Sequence, residues 1–230
     1  MQPTFFPWIG YFSMLDKVET FVFLDSVQFA KRSWQQRNQI KTATGAQWIT
    51  LPVSSSGRRD QLIREAQISR EGAPELKIIN GLKTSYSKAP FFSLYSDLIF
   101  TELLREKEKL CDLNINLILL FQRLLGIENK KILRSSEMTL EGSKADLLVL
   151  ICQQLGYQNY LSAPASRDYI EESGAFQQAD IEVRYHDYKH PVYRQLFGEF
   201  VPYMCIVDLL FNEGPASLSI LRGEQKGLEI

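Results

Sequence analysis

Between Lys131 and Tyr185 the sequence alternates between two periodicities, and this alternation limits the chain to a small set of folds. Lys131 to Ser135 (KILRS), Asn159 to Ser162 (NYLS) and Ile181 to Tyr185 are short, strand-like runs. Between them lie Ala145 to Leu155, apolar at helical spacing and closed by Gly156, and a short helical stretch from Ser166 to Glu172. Strands joined through a helix cannot be hairpin partners, because the crossover sets them parallel. The aromatic, β-branched run Glu19 to Leu24 (ETFVFL) reads as a further buried strand. Gln47 to Val53 reads as another, with Pro52 placing it at an edge or a strand end. The expected fold is one α/β domain over residues 1–230, a mainly parallel, Rossmann-like sheet with flanking helices.

The other segments fill in that plan. Met1 to Pro7 holds two prolines and reads as a loop, feeding a helix from Trp8 whose face is Ile9, Phe12, Met14, Leu15 and Val18. Ser54 to Asp60 (SSSGRRD) is the most loop-like stretch, either a solvated surface loop or one that closes over an anion through Arg58 and Arg59. A helical insertion occupies about 72–126, with helices over Glu75 to Ser87, Phe92 to Lys107 and Glu108 to Leu125. Ala89-Pro90 breaks the first from the second, and Gly126 caps the last. Leu117 to Phe121 is apolar almost all round, so that helix is expected at the centre. Pro202 to Phe211 reads as a late apolar helix, and 216–230 as a tail.

With a formal net charge of −1, no global field gathers nucleic acid or an anionic membrane. Cys111, Cys152 and Cys205 are odd in number, far apart and set in apolar helical patterns. They read as core thiols of a reducing compartment, not as disulfides or a zinc site. The start shows no basic region or cleavage site, and the apolar runs are too short to span a bilayer. A cytoplasmic location without membrane insertion is expected. No metal-ligand spacing, Walker loop, GxGxxG or GxSxG elbow appears, and no cofactor is identified.

Two polar-aromatic segments mark the functional surface, Gln2 to Tyr11 (QPTFFPWIGY) and His190 to Gln195 (HPVYRQ). In open α/β sheets ligands collect at the carboxyl ends of strands, beside helix N-termini. Gln2, Trp8 and Tyr11 suit a stacked ring or sugar face better than a metal, while two of Phe5, Phe6 and Trp8 are expected to be plain core. Asp25 to Lys41 carries Asp25, Gln28, Lys31, Arg32, Arg37 and Asn38 with Phe29 and Trp34 interleaved. Its cations suit a diphosphate or carboxylate with Trp34 stacking on a base or sugar; single-stranded nucleic acid and a solvated hairpin are the other readings. His190, flanked by Tyr193 and Gln195, is the candidate general base, and His186 reads as structural. Asp208 and Asn212, four apart on the late helix, either join Ser162, Arg167 and Asp168 as the far wall of one pocket or serve capping and an Asp168–Arg pair. Cys152 sits among Leu148, Val149, Ile151 and Leu155, which hide a thiol and raise its pKa.

MQPTFFPWIGYF followed by FVFLDSVQFAKRSWQQRNQI resembles the opening of the WbqC-like protein family. The resemblance continues through Tyr86 to Phe91 (YSKAPF), Asn159 to Ile170 (NYLSAPASRDYI), HPVYRQ and Ile206 to Gly214 (IVDLLFNEG), and so covers nearly the whole chain. It implies a protein of bacterial surface-polysaccharide (O-antigen) biosynthesis, a transferase that places an aminoacyl, glycyl-type or related acyl group on a nucleotide-linked amino sugar. The donor it implies is a carrier or a charged tRNA. It also implies a short apolar strand ahead of the Gln-Pro pair, where Met1 stands here, and often Gly where this chain has Ala163. More distantly, Trp8-Ile9-Gly10-Tyr11 between a loop and a helix is similar to the His-x-Gly-His loop of nucleotidylyltransferases and class I synthetases. Trp8 and Tyr11 replace both histidines, which implies nucleotide binding without adenylyl-transfer chemistry. On this reading Lys31, Arg32 and Arg37 hold phosphate, Trp8 and Trp34 stack, and His190 acts on the amine. The alternatives are a non-catalytic nucleotide- or sugar-binding module serving a partner enzyme, and an RNA- or tRNA-contacting protein.

Overall fold

Pro7 and Trp8 set the start of the first helix, α1 (Ile9–Lys17), because Trp8 holds an extended backbone (φ −79°, ψ 166°) and helical geometry begins at Ile9. Every residue from Ile9 to Leu15 is buried, so α1 is enclosed by the rest of the fold. The computed structural model describes residues 1–54, 57 and 60–224. The strand β1 (Thr20–Phe23) follows directly and turns Phe21 and Phe23 into the core. It pairs in parallel with β4 (Lys131–Arg134), with Thr20 opposite Lys131 and Phe23 opposite Arg134. After β4 the helix α5 (Lys144–Leu155) leads to β5 (Asn159–Ser162). From there α6 (Arg167–Ser173) and α7 (Ala175–Gln178) lead to β6 (Glu182–Tyr185), which pairs in parallel with β5. The parallel crossover expected between Asn159 and Tyr185 is present, whereas β4 pairs with β1 and not with β5.

The helical insertion is formed by α2 (Pro74–Tyr86), α3 (Phe92–Leu104) and α4 (Leu110–Leu125). α4 is central, as its all-round apolarity predicts: Leu113, Leu117, Ile118 and Phe121 are fully buried. Gly126 ends it at φ +78°, a left-handed cap. The late helix is α8 (Ile206–Glu213), shorter at its start than expected because residues 202–205 stay extended or turned. Part of the stretch read as a tail is α9 (Ser217–Arg222), which buries Ile220 and Leu221 and pairs Arg222 with Asp16 of α1 at 2.8 Å. The short helix was hidden because its apolar pair follows the helix-breaking Gly214-Pro215.

Two features depart from a single parallel sheet. β2 (Arg37–Thr42) and β3 (Gly45–Thr50) form an antiparallel hairpin in which Arg37 faces Thr50 and Gln39 faces Trp48. β3 stops before Pro52, as a residue without an N–H requires. Among the described residues the strands form three two-stranded ladders and do not join. Consecutive residues of β1 and β5 face each other across a cleft of about 930 Å³, with Met14, Val18, Leu148 and Leu155 also lining it. Met1 lies in this cleft beside β1, donating its nitrogen to the Val22 carbonyl at 2.7 Å and accepting from the Leu24 N–H at 2.8 Å, one step of a parallel ladder. The chain is therefore α/β with parallel crossovers, built on small sheets.

The main core surrounds α4, and a smaller one under β5 and β6 gathers Ala145, Leu148, Cys152, Ile170, Phe176 and Ile181. All three cysteines are free and buried, and burial pushes the Cys111 thiol up to about 12 and Cys152 up to about 11. Among the described residues no helix is long and apolar enough to cross a membrane. Ser55, Ser56, Arg58 and Arg59 of the SSSGRRD loop lie outside the described residues.

Candidate functional site

The N-terminal loop is stitched to the turn at residues 30–36. Phe5 donates its N–H to the Trp34 carbonyl at 2.9 Å, and the Gln35 amide donates to Gln2 Oε1 at 2.9 Å. From below, Asn114 of α4 donates its single buried amide to the carbonyls of Pro3 (3.2 Å) and Gln35 (2.8 Å). Asn38 of β2 donates to the Phe6 carbonyl at 2.7 Å, which holds Phe6 at φ +46°, a left-handed conformation that a bulky residue adopts only under constraint. Phe5 and Phe6 are fully buried, so two of the three early aromatics are core, as expected, and Asn38 is a brace beneath them. Tyr11 is also enclosed, its hydroxyl donating to the Gln2 carbonyl at 3.1 Å, while the Gln2 side chain is exposed.

Trp8 is half-buried and stands at the head of α1, its ring folded over Gly10 so closely that a Cβ there would overlap it. It stacks near-parallel on His190 (centroids 6.1 Å, 12° between planes) and meets Tyr188 and Tyr203 edge-on. The geometry of His190 assigns its tautomer. Nδ1 lies 2.8 Å from the Pro191 carbonyl, which only accepts, and Nε2 lies 3.1 Å from the Tyr203 N–H, which only donates. The ring is therefore neutral with its proton on Nδ1, and burial holds its pKa below the ordinary histidine value. Nε2 carries a lone pair that the Tyr203 N–H occupies.

Behind His190 lies a buried carboxylate. Asp208 is fully enclosed and accepts from the hydroxyls of Tyr86 and Tyr193, each at 2.9 Å, and from the Gln195 amide at 2.7 Å. Burial raises its pKa, and these donors pull it back. Tyr193 also faces the His190 ring at 6.2 Å, so Asp208, Tyr193 and His190 form a continuous stack. Asn212 donates to the Asp208 carbonyl one turn back and braces α8. Ser162 instead lines the cleft beside β1. Arg167 and Asp168 are exposed at the start of α6, where the Arg167 guanidinium sits 3.9 Å over the Tyr185 ring and reaches Glu171 at 3.2 Å. The structure thus separates Asp208 and Asn212 from Ser162, Arg167 and Asp168, because α8 packs its polar stripe against Tyr86 and Tyr193. His186 is buried with Nε2 3.0 Å from the Ser13 hydroxyl, a structural pairing.

Asp25 is enclosed as well. Its carboxylate accepts from the Ser136 N–H (2.9 Å), the Ser136 hydroxyl (2.7 Å) and the Ser135 hydroxyl (3.1 Å), tying the end of β1 to the end of β4. Gln28 is exposed and reaches Asp60 at 3.4 Å. The exposed and half-buried cationic residues of this segment lie on the turn and at the start of β2. Lys31 and Arg32 are exposed on the turn, and the Arg37 guanidinium lies 4.2 Å over the ring of Trp48, which in turn contacts Trp34. Trp48 and Tyr203 are not among the residues that the sequence singles out, whereas Tyr188 is marked there by its place beside His190. The signal for Trp48 lies in the register: once β2 and β3 pair, Arg37 and Trp48 share one exposed face. Among the described residues no group of His, Cys, Asp and Glu side chains has the form of a metal site.

A protein of Mycobacterium tuberculosis (strain ATCC 25618 / H37Rv), "Uncharacterized protein Rv1507c", is 36% identical to this chain over 225 residues, 96% of each. No solved structure matches. The WbqC-like protein family model matches residues 2–220, a span that includes the stitched loop, the basic hairpin and the His190 stack, and the chain belongs to that family.

Proposed function

We propose that the protein transfers an aminoacyl, glycyl-type or related acyl group to the amine of a nucleotide-linked amino sugar in surface-polysaccharide biosynthesis. The observation that carries this reading is the joining of a cationic, aromatic face to a neutral histidine through one braced loop: Trp34 and Trp8 flank residues 5–7, and His190 stacks on Trp8. Lys31, Arg32 and Arg37 supply charge for a diphosphate, Arg37 with planar geometry suited to two oxygens at once. Trp8 and Trp34 offer ring faces to a base or sugar, and Gln2 an exposed amide. The His190 Nε2 lone pair takes the proton of the sugar ammonium once the Tyr203 N–H releases it, leaving a neutral amine to attack the acyl carbonyl; the bond from that carbonyl to its carrier breaks, the carrier leaves with the proton returned by His190, and the amine's second proton passes to solvent.

Isothermal titration with nucleoside-diphosphate amino sugars tests the reading. Binding is expected, weakened by Arg37→Ala, with turnover but not binding lost in His190→Gln. Absent binding across the series, or an Arg37→Ala variant that binds like wild type, sinks it. The occupancy of both His190 nitrogens by backbone groups favours one second reading, a non-catalytic module that presents the ligand to a partner enzyme. Single-turnover transfer by the isolated protein excludes that module.

A further inference from the structure

The face formed by the β2–β3 hairpin and the 30–36 turn is chemically lopsided. From Ser26 to Ser54 the chain carries Lys31, Arg32, Arg37 and Lys41 and no Asp or Glu, on a protein of net charge −1. Lys41 is buried and spends its ammonium on the Glu199 carbonyl, while Lys31 and Arg32 face solvent. Trp34 and Trp48 remain 51% and 41% exposed although their rings are in contact, 5.3 Å between centroids. Two large aromatic rings held together in water bury little of their surface, and core packing does not require such a pair.

The pair is also fixed in advance. Ser33 donates its hydroxyl to the Ala30 carbonyl, and the Gln35 and Gln36 side chains accept from the N–H groups of Ala30 and Arg32. The Trp34 carbonyl is held by Phe5, and Trp48 sits in the ladder opposite Gln39. A ligand that stacks here meets rings whose backbone is already ordered, so little further freedom is lost on binding.

We infer that this face binds single-stranded nucleic acid, with successive bases on the exposed parts of the Trp34 ring and of the Trp48 ring, which carries the Arg37 guanidinium on one side, and their phosphates on Arg37, Arg32 and Lys31. Stacked aromatics beside cations that follow a sugar-phosphate backbone are how unpaired strands are held without sequence readout. A lone nucleoside engages one ring and leaves the other wet, whereas a strand covers both. Duplexes keep their bases stacked on one another and offer none to the rings. The inference goes beyond the transfer reading: it uses the same Trp34, Arg37, Arg32 and Lys31 that the reading gives to the sugar diphosphate, so a strand and a nucleotide sugar compete for this face, and the stacking itself does not depend on transfer.

The test uses the full chain, titrated at low salt with a short fluorescein-labelled oligoribonucleotide, a duplex of equal length and, separately, a nucleoside-diphosphate amino sugar. Anisotropy and quenching of tryptophan emission are read together. The single strand is expected to bind and to quench, the duplex to bind at least about ten-fold more weakly. The slope of log affinity against log salt is expected near about −2, from three cations on a single strand. Trp34→Ala and Trp48→Ala should each weaken binding by about five- to one-hundred-fold, with wild-type circular dichroism and thermal midpoint. Failure of the single strand to bind, or undiminished binding by the double variant, overturns the inference. Sugar binding with no strand binding overturns it and leaves the transfer reading standing; strand binding with no sugar binding does the reverse. Self-association that Trp34→Ala abolishes, with no strand binding, marks the face as a protein interface and also overturns it.

Discussion

Tyr86 and Tyr193 present the same hydroxyl to the same carboxylate, yet removing them should not cost the same. Each donates to Asp208 at 2.9 Å, in a fully buried setting. Loss of a hydrogen bond to a buried charge costs about 1.5–3 kcal/mol. Tyr193→Phe should lose that amount, about 2 kcal/mol, and keep its ring against His190. The Tyr86 hydroxyl also accepts from the Lys41 N–H at 2.9 Å, and this backbone group has no water to turn to when the oxygen is gone. Leaving a buried donor unpaired adds roughly 1–3 kcal/mol, so Tyr86→Phe should cost about 4 kcal/mol. With a urea slope of about 3 kcal/mol/M, the midpoint should fall by about 0.7 M for Tyr193→Phe and about 1.3 M for Tyr86→Phe. Both variants are measured at one pH, so the protonation state of Asp208 is common to the comparison. Because burial raises its folded pKa, the contribution of this group is fully present below the ordinary carboxylate value and is lost as pH rises through the folded one. Equal midpoint shifts, or the larger shift in Tyr193→Phe, would refute the argument that the Tyr86 oxygen serves two partners.

Three further outcomes follow from the same geometry. Burial lowers the pKa of both His186 and His190, so their stability is present above the ordinary histidine value of about 6.5 and is lost as pH falls below it; thermal midpoints should drop from pH 8 to pH 5, and less so in the His186→Gln/His190→Gln variant. Gly10→Ala places a methyl within the Trp8 ring and should destabilise the fold by about 1–3 kcal/mol while shifting the near-ultraviolet dichroism of Trp8; an unchanged spectrum would show that the ring does not rest there. Asn114→Ala leaves the carbonyls of Pro3 and Gln35 without their buried donor, costs about 2–3 kcal/mol, and should speed hydrogen exchange of the Phe5 N–H relative to that of Ile132 in β4.

Much of the architecture is readable from short-range pattern. The strand-helix-strand order from Lys131 to Tyr185, the apolar girth of α4 and the glycine caps at 126 and 156 depend on residues within a few positions of one another, and all are found where the pattern puts them. The fate of the polar residues was harder to read. Asp25 resembles a ligand group in a list of side chains, but Ser135 and Ser136, more than a hundred residues away, consume its carboxylate. Asp208 and Ser162 look equally suited to one pocket wall, and they part because α8 turns its polar stripe onto Tyr86 and Tyr193.

The two polar-aromatic segments, Gln2 to Tyr11 and His190 to Gln195, divide in the same way. Sequence alone determined that Gln2 to Tyr11 enters a helix through a proline-braced loop, and that HPVYRQ follows the last parallel strand. Only the tertiary structure decided that Trp8 and His190 share one stack, that Nδ1 holds the His190 proton, and that Trp48 joins Arg37 on an exposed face. Periodicity tells which side of an element is apolar, since that depends on its own residues. Which partner a polar atom finds depends on where distant elements come to rest, and that is set by packing of the whole chain.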